Sequence, residues 1–404
     1  MSATVQERYT LISADTHAGG SMEQYTEYLD PAFRDEFEAW RNRYKNPFKD
    51  LHGHLRTRNW DNERRFKELE DDGVVGEVIF PNTVPPFFPT GAIVARPPNA
   101  EEYRQRLAGI RAHNRWLADF CSVAPARRAG VGQIFLNDVD EAVKDIHFIK
   151  EHGLRGGALL PGVPDDTDLL PLWDRYYDPL WSACEDLEVP ITHHSGQGSP
   201  DYGKYSVAWT MWICETQFFS HRPLHHLIMG GVFERHPKLV FAMTEQGCAW
   251  IPGVLKMLDG FYAQMASGRM GEIKFDAEDR LSLKPSEYFA RNCYVGVSFP
   301  NPVEAAAMKT VGIDRCMWGS DYPHHESTYP YTTEGLRIAF SDWSEADVRR
   351  VVTENPAKIY GFDVDALAPF AAKVGPTVDE IKVPLTDVPK DSGSPAFARQ
   401  SSSR

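Results

Sequence analysis

The sequence predicts an α/β chain folded as a (β/α)8 barrel, with an insertion after the first strand and a C-terminal extension. Three observations predict it. Eight short apolar, β-rich runs recur, at 9–15, 74–81, 130–136, 156–160, 189–194, 239–245, 292–298 and 315–321. They are continuously apolar rather than alternating, the pattern of strands buried on both faces of a parallel sheet. Helical patterns lie between most of them, clearest at 100–121 and 139–152, where apolar residues recur at helical spacing. Eight such units match a barrel over residues 1–362. The polar and aromatic insertion at about 20–60 follows a strand, on the side where it can cap the barrel mouth. Residues 363–404, with Pro, Asp and Ser, read as an arm or partly disordered tail.

Bulk numbers exclude several partners. The 404 residues are 42% hydrophobic and 25% charged, ordinary globular values with room for a large core. A net charge of −14 argues against nucleic acid and anionic membranes, both of which call for a basic surface. The six cysteines show no CxxC spacing and read as reduced thiols of a cytoplasmic protein. The first residues, MSATVQERYT, lack the apolar core of a signal peptide. No apolar run reaches the roughly 18 residues of a membrane span. Aromatic content is 12%, with ten Trp; some rings are expected to line a pocket and most to be core.

Function in such barrels sits at the C-terminal ends of the strands. Strand one ends Asp15-Thr16-His17, strand five His193-His194, strand six Thr244-Glu245 and strand eight Ser320-Asp321, followed by His324-His325. Strand four ends LLPG, without lysine. Asp15 and His17 are two apart and so share a face. Histidines and carboxylates in one pocket are the ingredients of a divalent-metal site, and carboxylates that close repel unless a cation holds them. The candidate ligands are Asp15, His17, His194, Glu245, Asp321 and one of His324 or His325. His193 points to the other side of its strand and reads as a hydrogen-bonded supporting residue. Asp321, Glu245 and His194 are also the catalytic candidates. Each has a plainer reading: Asp15 could cap a turn and Glu245 could serve an ion pair. His221 and His225 have helical zinc spacing, but the accompanying glutamate is missing and an outer helix points away from the axis. His52 and His54 read as surface or lid residues.

The stretches ISADTH, Trp60-Asp61 followed by LEDDGVVGEVIFP, VPITHHSG, GGVFERHPKLVFAMTEQG and MWGSDYPHHES together carry a resemblance. From about residue 10 to residue 362 the chain resembles the amidohydrolase-related family, the branch of the amidohydrolase superfamily with aromatic-acid and aminocarboxymuconate semialdehyde decarboxylases. The resemblance implies a TIM barrel, a divalent metal at its mouth, and dimers or higher homo- or hetero-oligomers. It matches Asp15 and His17 to the strand-one ligands, His194 to the strand-five ligand and Asp321 to the strand-eight Asp. Two departures stand out. The binuclear hydrolases carry His-x-His on strand one and a carboxylated lysine on strand four, and this chain has neither. The decarboxylases usually carry His at the end of strand six, where this chain has Glu245.

A carboxylate-rich set mixed with imidazole suits iron or manganese. The favoured expectation is therefore a dinuclear (Fe/Fe or Mn/Fe) O2-dependent hydroxylase of a small organic substrate, with two metals per chain, Glu245 as bridge and an external electron donor. Zinc is the expectation if one metal is bound. The alternatives are a metal-dependent hydrolase of an amide or ester, a non-oxidative decarboxylase of an aromatic-type carboxylic acid, and an inactive partner subunit. Trp60, Phe88, Trp212 and Trp250 are candidate pocket walls, and Arg58 a candidate partner for a substrate carboxylate.

Overall fold

Continuous apolar runs leave a strand nowhere to go but the interior, and all eight runs are there. In the computed structural model they form β1 (Leu11–Ala18), β2 (Val74–Pro81), β3 (Arg128–Gln133), β4 (Gly157–Leu159), β5 (Ile191–His194), β6 (Phe241–Thr244), β7 (Cys293–Ser298) and β8 (Cys316–Gly319). Every strand residue is buried. The strands pair in chain order, each parallel to the last, with helices between. The barrel is drawn together between the ends of β8 and β1. Asp321 donates its backbone N–H to Asp15 O at 2.9 Å, and His17 donates to Tyr322 O at 2.7 Å. The structure describes residues 7–45, 51–268, 271–273 and 275–398; part of the expected insertion (46–50) and the end of the expected tail (399–404) lie outside them.

Two strand boundaries differ from the sequence reading in a way that matters. β1 runs on to Ala18, so Asp15 and His17 stand inside a strand rather than beyond its end. β8 stops at Gly319, so Asp321 stands beyond it. β1 also carries a register shift: Ser13 lies opposite Glu77 but Thr16 opposite Ile79, one residue extra on β1. Such a bulge re-aims the side chains that follow it. Before it, Ile12 and Ala14 pack with Val78 and Phe80. After it, His17 is the residue against Phe80, with ring centroids 5.9 Å apart, and Thr16 turns to Glu77 on the opposite face.

The segment between β1 and β2 packs on the loop leaving the C-terminal end of β2. Phe37 and Trp40 meet Phe87 there, and Tyr25 hydrogen-bonds Thr83. The C-terminal extension packs on the barrel as far as Ala398. Its helix Val364–Val374 buries Leu367 and Ala371 against Ile12, Val75 and Val78. Tyr9 then donates to Pro376 O and Val378 to Glu7 O, and Ala396 and Phe397 are buried. Among the described residues no helix is long and apolar enough to cross a membrane.

Candidate metal centre

Four strand ends converge at the barrel mouth. β1 supplies Asp15 and His17, β5 ends on His194, β6 is followed by Glu245 and β8 by Ser320-Asp321. Glu245 (φ 58°) and Asp321 (φ 64°) both hold left-handed backbone, which non-glycine residues rarely adopt and which marks functional turns when it persists. Gly319 is required by the same convergence, because a Cβ there would lie 2.7 Å from Asp15 Cβ.

His17 Nε2 lies 3.3 Å from Asp15 Oδ1 and 3.1 Å from Asp321 Oδ1. His194 Nε2 lies 3.5 Å from Asp15 Oδ1. All four residues are at most 2% exposed. Yet Asp15 Oδ1, His17 Nε2, His194 Nε2 and Asp321 Oδ2 are left without a well-formed hydrogen bond. Buried polar atoms are nearly always satisfied, so the orphans on Asp15, His17 and His194, whose ligand atoms lie within 4.8 Å of one another, call for a ligand, and Asp321 joins them through His17. Mixed imidazole and carboxylate donors fit a divalent transition ion, and this set passes that test. The other atoms of these side chains are tied down. Ser298 donates its hydroxyl to Asp15 Oδ2 at 2.5 Å, His17 Nδ1 is 3.4 Å from Pro81 O, and His194 Nδ1 is 3.0 Å from Ser195 O. Bonds to Nδ1 leave Nε2 free to bind metal.

The charges are arranged to match. Burial works to raise the Asp15 carboxyl, but the imidazoles of His17 and His194 hold it well below the ordinary carboxylate range. Burial also opposes the charge on Asp321, and the His324 charge and the His17 contact keep it lowered. Glu245 goes the other way. Burial first, and then the charge of Asp321, push its carboxyl well above the usual value.

Other expected residues separate cleanly. His324 is at the site, with Nδ1 2.9 Å from Asp321 Oδ1 and Nε2 2.9 Å from Asn82 Oδ1. His325 is exposed and lies against Gly393 of the C-terminal arm. His193 is turned away from the cluster, with Nδ1 3.0 Å from Leu160 O, and burial pushes its imidazole down to about 4. Glu245 Oε2 is 3.5 Å from His194 Nδ1 and stands in a second group of possible ligands with Asp321 and Glu326. Glu326, within the MWGSDYPHHES stretch, is not marked out by the sequence, because nothing in a loop's sequence tells which side chains turn inward.

Of the expected pocket walls, Phe88 and Trp212 line one cavity of about 340 Å³ beside the mouth. Trp250 and Trp60 do not: Trp250 donates to Gln246 O and stacks on His221, and Trp60 lies under Arg56. The Arg58 guanidinium is already taken by Glu68, at 2.8 Å, and lies over Tyr329.

Comparison with known proteins follows the geometry. The family model described as amidohydrolase matches residues 50–362. The 2-amino-3-carboxymuconate-6-semialdehyde decarboxylase of Dictyostelium discoideum is 26% identical over 212 residues, 51% of this chain and 53% of that protein. The chain thus spans about half the length of this curated relative. Among solved structures, the 5-carboxyvanillate decarboxylase of Sphingomonas paucimobilis superposes with a TM-score of 0.65 at 20% identity, covering 88% of this chain and 100% of that one. That of Novosphingobium aromaticivorans, complexed with manganese and 4-hydroxy-3-methoxy-5-nitrobenzoic acid, gives 0.66 at 21%, covering 89% and 99%. The 2,6-dihydroxybenzoate decarboxylase from Rhizobium gives 0.60 at 19%, covering 89% and 99%. At these identities the structural likeness establishes the barrel.

Proposed function

We propose, from the premise that the chain belongs to the amidohydrolase family, that it is a metal-dependent, non-oxidative decarboxylase of an aromatic-type carboxylic acid. One observation carries the reading. Two groups of possible ligands, Asp15 with His17 and His194 and Asp321 with His17 and His324, meet at His17, and beside them stands Glu245, whose carboxyl burial and the Asp321 charge push upward. Relatives of like fold are named 5-carboxyvanillate and 2,6-dihydroxybenzoate decarboxylases, and the curated relative a 2-amino-3-carboxymuconate-6-semialdehyde decarboxylase, which favours this alternative over the hydroxylase first expected from the ligand types.

Asp15, His17, His194 and Asp321 would hold one divalent ion, manganese being the one named with the Novosphingobium relative. Such an ion would supply a Lewis acid for the substrate carboxylate and a neighbouring oxygen. The chain's residues do the rest. The carbon–carbon bond to the carboxylate breaks, CO2 leaves with its electron pair left on the ring carbon, and that carbon takes a proton. Asp321 is a poor proton source, since its carboxyl is held ionised by His324 and His17. Glu245 is the better one: burial and the Asp321 charge push its carboxyl well above the usual value, the direction a proton donor needs. His17 and Asp15 are oriented by Pro81 O and Ser298, so the donor atoms need not reorganise when substrate arrives.

A second reading rests on the trio Asp321, Glu245 and Glu326, which offers ligands for a second cation. With two ions bound, the O2-dependent hydroxylase reading returns. One assay separates them. Chain loaded with manganese is incubated with hydroxylated benzoic acids in two arms, one without oxygen and one with oxygen and a reductant. CO2 release supports decarboxylation; oxygen uptake with hydroxylated product and no CO2 overturns it.

A further inference from the structure

The mouth has a side chamber that the four-donor cluster does not use. It forms where the loops after β2, β3, β4 and β5 meet the start of the helix Ala208–Met229. Its volume of about 340 Å³ falls at the small end of ligand pockets. Gly196, two residues beyond His194 on the loop that leaves β5, is part of its wall. Phe88, Phe135 and Trp212 give it ring surfaces.

Three of its polar side chains are buried with an atom able to donate left unmet. Arg106, Gln133 and Ser199 line the chamber and are 3%, 4% and 7% exposed. Arg106 Nε, Gln133 Nε2 and Ser199 Oγ have no hydrogen-bond partner. The rest of Arg106 is engaged. It donates to Arg96 O at 2.7 Å, reaches Glu102 at 3.3 Å and lies over the Phe88 ring at 4.3 Å. Above, Arg96 joins Asp166 at 2.6 Å and approaches Asp201 at 3.7 Å, which ties three of the loops together. That pairing engages the nearby carboxylates at the rim. A buried donor left unmet costs about 1–3 kcal/mol, so three in one apolar chamber are complementary to a ligand that brings its own acceptors.

We propose that this chamber holds the non-reacting end of the substrate and selects a planar apolar ring carrying a second oxygen acceptor, a carboxylate or phenolate, away from the carboxylate that is lost. The assignment of the lost carboxylate rests on the decarboxylase reading; the chamber's preference for an acceptor does not. Arg106 and Gln133 set that preference, and Ser199 adds to it.

The test is calorimetric binding to the manganese-loaded full chain, with benzoate as one probe and benzene-1,3- and 1,4-dicarboxylate as the others. The wild-type chain is expected to bind at least one dicarboxylate tenfold or more tightly than benzoate. In Gln133→Leu/Ser199→Ala, and in Arg106→Leu where circular dichroism finds it folded, that ratio is expected to fall to within threefold. The double variant keeps the buried cation and so does not depend on Arg106→Leu folding. Absence of a preference in the wild type, its persistence in the double variant, or failure of all three probes to bind overturns the proposal. Binding is read without turnover: a preserved preference with no CO2 release would count against the reaction alone, and CO2 release without the preference against the chamber alone.

Discussion

Two clusters of buried charge sit back to back on β1 and β2, and they are built in opposite ways. Behind the sheet, the Glu77 carboxylate is fully engaged: Arg65 at 2.6 Å, Arg128 at 3.1 Å and the Thr16 hydroxyl at 3.1 Å. Arg65 also donates to His17 O at 2.7 Å, which fixes the strand that carries the ligands. In front, Asp15, His17, His194 and Asp321 are equally buried but leave one donor or acceptor atom each unmet. Burial of charge is therefore not what marks function here. Incomplete satisfaction is a better guide: among these residues Arg128 Nη2 alone is unmet behind the sheet, while in front four donor or acceptor atoms are, where four strands end. The bulge in β1 separates the two, sending Thr16 to the closed cluster and its neighbours to the open one.

The comparison can be broken at several points. The largest effect is expected for Asp321→Ala, which removes a donor common to two of the three groups of possible ligands, the one with His17 and His324 and the one with Glu245 and Glu326. Metal affinity should fall by more than about 100-fold, beyond what loss of a supporting residue gives, as read by elemental analysis after dialysis. Glu77→Ala should instead cost stability, about 3–5 kcal/mol, because it strands two buried guanidinium groups; urea unfolding measures it. The same carboxylate sets a pH dependence. Burial would raise it, but Arg65 and Arg128 hold it lowered, so its folded value lies below its unfolded one. Its stabilisation is complete above the unfolded value of about 4.3 and is lost as pH falls through the lowered folded value. Acid unfolding of the wild type should therefore steepen below pH 4.3, and that component should be missing in Glu77→Gln.

Glu245→Gln keeps the shape but not the transferable proton. The account expects metal content to hold while CO2 release falls by about 10²–10⁴-fold, the usual contribution of a positioned acid. Equal loss of metal and rate would assign Glu245 to ligation instead. Ser298→Ala frees one Asp15 oxygen and should weaken metal binding by about 10–100-fold, as read by competition with a chelator. Least is expected of Arg58→Ala. Its guanidinium is spent on Glu68, so stability should change by no more than about 1 kcal/mol and substrate affinity hardly at all.

Much of this was legible in the chain itself. Continuous apolar runs announced a doubly covered parallel sheet, and reading the last residues of each run found Asp15, His17, His194 and Asp321 together. Alternation also separated His194 from His193. What was not legible depends on contacts between distant segments. The β1 bulge turns on pairing with β2, and without it Asp15 and His17 would face away from the mouth. Glu326 and the choice of His324 over His325 depend on a loop path set partly by the C-terminal arm, whose Gly393 lies against the exposed His325. The arm's own packing comes from Leu367 and Ala371 meeting a barrel floor that composition alone does not describe. Arg58 looked free because Glu68, ten residues on, gave no sign of taking it.

The central claim is that the open cluster is a metal site. The most direct test is elemental analysis of the full chain after loading with manganese and gel filtration, with Asp321→Ala beside it. The account predicts one divalent ion per wild-type chain and next to none in the variant. A folded wild-type chain that retains no metal, or a variant that retains as much as the wild type, would contradict it.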